Sequence, residues 1–425
     1  MVLSALSSDP AIHRIFWRIF KMETSQLLEM EKESLLAAYS RPDIVFTHGH
    51  GVYLYDSEGK KYLDFTAGIA VNALGHCDPG AVRVLQEQAQ KLWHCSNLFY
   101  TEPPILLAGR LTETTFADKV FFANSGAEAV EGAIKLARKW GHEIKGEECH
   151  EIIAMQNSFH GRTMGALSLT GQNKFWQGYD PMLPGIRFAE FNHLDSVSRL
   201  VNKGKTCAII VEPIQGEGGV YVAEKSFLQG LRRLCDENDC LLILDEIQCG
   251  MGRSGRFCCY EWYDIEPDIM VMAKPLAGGL PLSALLVTQD VADHIKPGQH
   301  GSTFGGGPLT TAVADYVVGR ITDPAFLQHV AAMGEHLLKS LQLLQDELPA
   351  IKEVRGQGLI VGVELTVPAK KVIEACAEFG LLLCRAGDHV LRFLPPLIVD
   401  KKQIEEAVEI LEDAIRECLV PTGEN

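Results

Sequence analysis

Between about residues 105 and 290, short apolar runs alternate with helical patterns. The runs are "KVFFA" (119–123), "EIIAMQ" (151–156), "CAIIVEP" (207–213), "CLLILDE" (240–246), "DIMVMA" (268–273) and "SALLV" (283–287), with helices such as "AEAVEGAIKLARKW" (127–140) between some of them. This alternation predicts an α/β fold with a mostly parallel, doubly wound sheet. The four consecutive apolar residues Leu241, Leu242, Ile243 and Leu244 read as a strand buried on both faces. After a helical stretch over about 308–347 the pattern becomes α+β, with "LIVGVEL", "GLLLC" and "HVLRFLPP" as strands. "GVYLYDSEGKKYLDF" (51–65) reads as a hairpin around a Ser-Glu-Gly turn. The expected organisation is a large domain over 76–320, a smaller α+β domain over 321–425, and a segment over 22–75 that joins the smaller one.

Composition excludes more than it selects. A formal net charge of −16 repels phosphate backbones and argues against a nucleic-acid binder. No apolar run approaches the roughly 20 residues that span a bilayer. The twelve cysteines include no CxxC pair, and Cys249, Cys258 and Cys259 match no zinc spacing. They read as buried thiols of a reducing compartment, with no metal expected. Residues 1–21 differ from the rest. Ile12, Ile15, Phe16, Ile19 and Phe20 share one helical face, and Arg14, Arg18 and Lys21 outnumber Asp9. That pattern fits a mitochondrial presequence, or an extension upstream of a start at Met22, so the expected location is cytoplasmic or the mitochondrial matrix.

In open α/β sheets, ligands bind beyond the carboxyl ends of the strands. Here "ANSGAEA", "NSFHGRT", "EPIQGEGG", "DEIQ" and "AKPLAGG" follow five of the apolar runs, so one composite pocket is expected. In "NSGAEA", Ser125, Gly126 and Ala127 open a helix whose amides could face a phosphate, although Ser-Gly before a helix also makes a plain N-cap. Asp245 ends one buried run and Lys274 another. A carboxylate there is costly unless a cation meets it. The two could form a structural ion pair. Alternatively, Lys274 could bond covalently to a carbonyl cofactor while Asp245 pairs with that cofactor's pyridinium nitrogen.

From about Val45 to the C-terminus the chain resembles the class-III, fold-type-I aminotransferases that depend on pyridoxal 5'-phosphate. The resemblance is carried, in family order, by "LDFTAGIAVNALGH", "NSGAEA", "FHGRTMGALSLTG", "EPIQGEGGV", "LDEIQCGMGRSG", "AKPLAGGLP", "HGSTFGGGP" and "LRFLPP". It implies the fold-type-I architecture and a homodimer with shared active sites. It also implies catalytic roles for Lys274 and Asp245. Ser125, Gly126 and Ala127 would cradle the phosphate, Phe159 would stack on the ring, Gln248 would bond the ring hydroxyl, and Thr303 would reach the neighbouring subunit's phosphate.

For substrates, the resemblance implies that Arg392 holds the α-carboxylate of glutamate and 2-oxoglutarate, and Arg162 that of an acylated ornithine. Glu217 would pair with Arg392 when the donor brings no carboxylate to it, and Glu212 would support the site from behind. The implied reaction joins N-acetylornithine and 2-oxoglutarate, with Ile69, where relatives that use free ornithine carry Tyr, favouring an acylated donor. Ornithine, succinylornithine, succinyldiaminopimelate and 4-aminobutyrate remain alternative donors, and an inactive cofactor-binding relative remains a non-enzyme alternative. The chain departs from its relatives at Asp78, Pro275, Ala277, Ser283 and Gly307, none of which removes a group the chemistry requires.

Overall fold

A computed structural model describes residues 22–419; the basic segment read as a presequence or upstream extension lies outside them. The chain divides into a small unit, residues 22–49 and 54–61, and a main unit, residues 50–53 and 62–419. In the small unit, helix Thr24–Ser34 is tied to the turn at Ser57 by a 2.6 Å contact between the Thr24 and Ser57 hydroxyls. That turn is the expected Ser-Glu-Gly turn. The Asp56 carboxylate fixes it by accepting from the backbone N–H groups of Glu58 and Lys60, both at 2.9 Å.

The main unit is built on a seven-stranded sheet of β1 (Lys119–Ala123), β2 (Glu151–Met155), β3 (Ile186–Ala189), β4 (Thr206–Val211), β5 (Leu241–Asp245), β6 (Ile269–Met272) and β7 (Ser283–Val287). Its order is β1-β7-β6-β5-β4-β2-β3, and only β7 runs against the others. The doubly wound expectation therefore holds, and each central strand is apolar because both of its faces are covered. Every residue of β4, β5, β6 and β7 is buried. Strand β3, "IRFA", is absent from the expected runs: it is four residues long at the sheet edge, and Arg187 interrupts its apolar pattern. Helix α1 (Gly126–Lys145) follows β1 and buries Ala129, Val130, Ala133, Ile134 and Ala137 along one face.

The stretch read as one long helix is two, Pro308–Ile321 and Pro324–Glu347, because Pro324 cannot continue the first while Asp323 caps the second. Beyond them an antiparallel sheet runs in the order Ile351–Gln357, Ile360–Leu365, Val390–Phe393 and Cys384–Arg385. The first strand carries Lys352, Glu353 and Arg355 and lacks an apolar signature because it lies at the edge. Arg253, buried and without a carboxylate partner among the described residues, ties this sheet to the large one by donating to the carbonyls of Leu359 (2.9 Å) and Pro395 (2.6 Å). Gly358 makes the turn between the first two strands with φ +60°, and a Cβ there would lie 2.5 Å from the Arg253 carbonyl oxygen. Gly358→Ala should therefore destabilise the fold by about 1–3 kcal/mol, measured by chemical denaturation.

Residues Ala67–Ala70 turn left-handed, with φ of 46° at Ala67, 66° at Gly68, 62° at Ile69 and 64° at Ala70. The turn closes on itself: the Ala70 N–H donates to the Thr66 carbonyl (3.0 Å) and the Val71 N–H to the Ala67 carbonyl (2.8 Å). Left-handed backbone costs an L-residue roughly 1–2 kcal/mol, so the three non-glycine residues together cost about 3–6 kcal/mol. Asp64, wholly buried, opposes that cost. Its Oδ1 accepts from Thr66 N (2.8 Å), Thr66 Oγ1 (2.7 Å) and Ala67 N (3.0 Å), and its Oδ2 meets His76 Nε2 at 2.7 Å. Asp78 caps the next helix, Pro79–Ala89, by accepting from Gly80 N and Ala81 N, so this departure from the relatives' pattern has a structural use.

Candidate active site

Five parallel strands end at one cavity of about 340 Å³. Asn124–Ala127 follow β1, Phe159–Gly161 follow β2, and Glu212 and Ile214 follow β4. Asp245 ends β5, with Ile247 and Gln248 just beyond it, and Ala273 and Lys274 follow β6. The sheet therefore gathers Ser125, Gly126, Ala127, Phe159, Asp245, Gln248 and Lys274. Arg162, Glu217, Arg392 and Thr303 are outside this lining.

Asp245 faces a partner that spacing alone does not reveal. Its Oδ2 meets His160 Nδ1 at 2.7 Å, and its Oδ1 accepts from Ile247 N at 3.1 Å. His160 arrives from β2, which sits two places from β5 because β4 lies between them. Its Nε2 is buried and has no hydrogen-bond partner among the described residues. Among the described residues no ion pair joins Asp245 to Lys274, so the simple structural pairing of these two is absent. Burial, and then the nearby Arg392 charge, push the Lys274 ammonium below the ordinary lysine range, while Glu217, Asp245 and Glu212 oppose the shift. Burial, and then the Asp245 charge, push Glu212 well above the usual carboxyl range. Glu212 accepts from the Phe159 backbone N–H at 3.0 Å and so fixes the loop that carries Phe159.

Beside the cavity, Arg392 is buried and forms a 2.7 Å ion pair with Glu217. It also donates to Gln248 Oε1 at 2.9 Å, and its Nε has no partner among the described residues. Arg162 is exposed, its guanidinium 3.9 Å from the centre of the Phe175 ring and 5.4 Å from that of Phe159. Thr303 is exposed too, in a separate pocket with His94, Asn97, Tyr100 and Gly305.

The lining fits a planar pyridine ring bearing a phosphate. Ser125 caps α1, accepting from Glu128 N at 3.3 Å, and the helix N-terminus supplies amides and positive potential. Gly126 leaves room that a side chain would fill, since a Cβ there would lie 2.7 Å from Ile247 Cδ1. An aromatic ring, a braced carboxylate and a desolvated lysine complete the set.

All twelve cysteines are free, and no cluster of His, Cys, Asp and Glu among the described residues could hold a metal. Glu246, next to Asp245, braces the following loop, since its two oxygens accept from Cys259 N and Tyr260 N, each at 2.7 Å. Burial raises its carboxyl to about 8. The folded state thus keeps a proton that the unfolded chain releases in the ordinary carboxyl range, and stability falls as pH rises through that window. Glu246→Gln should flatten the decline of Tm between about pH 5 and 8.

Fold and site together define an α/β protein whose strand ends, a desolvated lysine among them, line a cavity that fits a pyridine ring bearing a phosphate. The aminotransferase class-III family model matches residues 36–415, and the chain belongs to that family. It is therefore a transaminase that works through pyridoxal 5'-phosphate. It is 46% identical to the acetylornithine aminotransferase of Caldanaerobacter subterraneus, covering 92% of this chain and 99% of the relative. It is also 46% identical to the mitochondrial acetylornithine aminotransferase of Alnus glutinosa, over 91% of this chain and 87% of that one. Among solved structures, the N-acetylornithine aminotransferase of Stenotrophomonas maltophilia superposes with a TM-score of 0.81 at 36% identity, covering 92% of this chain and 99% of that one. The ornithine aminotransferase of Toxoplasma gondii superposes with 0.91 at 31% identity, covering 95% and 98%. Backbone likeness therefore does not choose between the two substrates.

Proposed function

We propose that this chain converts N-acetylornithine and 2-oxoglutarate to N-acetylglutamate 5-semialdehyde and glutamate in two half-reactions at one site. The observation that carries the reading is the Arg392–Glu217 pair beside Lys274, together with the acetylornithine relatives. A buried guanidinium already paired with a carboxylate can exchange that partner for a substrate carboxylate of the same shape. With Glu217 in place, the donor's distal amine can enter without a carboxylate at Arg392. With Glu217 displaced, Arg392 takes the α-carboxylate of 2-oxoglutarate or glutamate. Arg162 would take the donor's α-carboxylate, its guanidinium preset by stacking on Phe175.

Pyridoxal 5'-phosphate, when bound, supplies an electron sink for charge that develops at the reacting carbon. In this reading Ser125, Gly126 and Ala127 hold its phosphate, Phe159 covers its ring and Gln248 serves its hydroxyl. Asp245, oriented by His160, keeps its nitrogen protonated. Lys274 moves the proton at the carbon that carries the amino group, and its burial, which disfavours the ammonium, favours the free base that this step uses.

The same reading includes a homodimer with shared sites. Tyr100 and Phe99, 97% and 70% exposed, line the same pocket as Thr303 and make a surface suited to a second copy. Light scattering should give twice the chain mass, and Thr303→Ala should weaken cofactor retention. No described helix is long and apolar enough to cross a membrane. A mitochondrial address for residues 1–21, the alternative to a cytoplasmic one, draws support from the mitochondrial relative in Alnus glutinosa, and import of a tagged fusion tests it. The substrate is tested by comparing kcat/KM for acetylornithine, ornithine, succinylornithine, succinyldiaminopimelate and 4-aminobutyrate. Higher turnover of ornithine would replace this reading with that of an ornithine aminotransferase.

A further inference from the structure

The left-handed turn Ala67–Ala70 is strained and yet gains little from its own packing at Ile69, which is 42% exposed. Strain of this kind persists where the surroundings over-determine it, and it concentrates at functional sites. Three observations connect this turn to the active site. It packs against the Lys274–Ala277 turn. Val71, which donates its closing hydrogen bond, lines the cavity that contains Lys274. Asn72 faces Gly279, another lining residue, where a Cβ would come within 3.2 Å of its Oδ1. What holds the turn is a buried polar brace behind it: one Asp64 oxygen gathers three donors from Thr66 and Ala67, and the other is fixed by His76. Thr66 continues the brace by accepting from Gly68 N at 3.3 Å.

We propose that Asp64, braced by His76, is a positioning residue for the amine substrate. It acts by holding the left-handed turn that sets Val71 in the cavity wall and leaves Ile69 uncovered two residues earlier. The inference rests on the transamination reading above, and it adds a determinant of donor fit that touches neither cofactor nor reacting atoms. A right-handed or relaxed turn would carry Val71 out of its place and change the shape offered to the donor. The strand of Arg392 neighbours the brace, since Leu394 N–H donates to the Phe65 carbonyl at 2.7 Å, but the Arg392 side chain is held by Glu217 and Gln248 and would stay where it is.

The test compares wild-type holoenzyme with Asp64→Ala, Asp64→Asn and Thr66→Val, reading KM for acetylornithine, KM for 2-oxoglutarate, kcat and Tm. Thr66→Val removes the hydroxyl that donates to Asp64 and accepts from Gly68 N, and should raise the amine KM about 5- to 100-fold, the effect of two lost hydrogen bonds. Asp64→Ala should raise it further, and Asp64→Asn, which keeps an acceptor for the turn and a donor for His76, should restore most of the loss. KM for 2-oxoglutarate should stay within about 2-fold throughout. If Asp64→Ala does not fold, Thr66→Val decides the matter alone. An unchanged amine KM in Thr66→Val, both KM values rising together, or a lower Tm as the only effect would each overturn the proposal. Absence of acetylornithine turnover in the wild type would instead count against the reaction reading. The same comparison would then be run with whichever amine the wild type accepts.

Discussion

Lys274→Ala should abolish turnover while leaving a folded protein. Loss of the proton-moving amine alone is worth about 10²- to 10⁴-fold in rate, and loss of the covalent anchor adds to it. The fold should survive because Lys274 is held by no ion pair to Asp245, and its ammonium is disfavoured by burial and by Arg392. Removing it relieves a desolvated cation and leaves no carboxylate orphaned: Asp245 keeps His160 and Glu217 keeps Arg392. Single-turnover rates and the visible absorbance of bound cofactor are the measurements. Near-wild-type rates in the variant would remove Lys274 from the chemistry.

Arg392→Ala should divide the two half-reactions. Truncating one partner of a buried, hydrogen-bonded charge pair costs about 2–5 kcal/mol, or roughly 30- to 4,000-fold, much of it from the charge left behind. Here Glu217 and Gln248 both lose their partner. The loss should fall on kcat/KM for 2-oxoglutarate and glutamate, whose carboxylate would replace Glu217. The acetylornithine half-reaction should change far less, because its carboxylate is assigned to Arg162. Stopped-flow rates for each half-reaction, measured separately, check this. Equal losses in both would mean that Arg392 supports the site without sorting substrates.

Much of this site is legible in the sequence because buried parallel strands write themselves as apolar runs, so the polar residue that ends each run stands out. Asp245 and Lys274 are visible for that reason, and the parallel sheet brings five such ends to one cavity. His160 is not legible: it sits mid-loop in "NSFHGRT", and only the placement of β4 between β2 and β5 brings it to Asp245. The Glu217–Arg392 contact joins residues 175 positions apart (392 − 217), and it follows from family resemblance, not from spacing. The left-handed turn is invisible, since Ala-Gly-Ile-Ala has no local preference for it and the cause is a buried carboxylate several residues away. Strand Ile351–Gln357 escapes notice because an edge strand can carry charges that a central one cannot.

The central claim is that Lys274 and its surroundings carry an amino group from acetylornithine to 2-oxoglutarate. The most direct measurement is the visible spectrum of the purified, cofactor-loaded protein, recorded as N-acetylornithine and then 2-oxoglutarate are added. The amine should bleach the cofactor band and the keto acid should restore it. A band that ornithine bleaches while acetylornithine leaves it unmoved would contradict the substrate, and a protein that takes up no cofactor band would contradict the role given to Lys274.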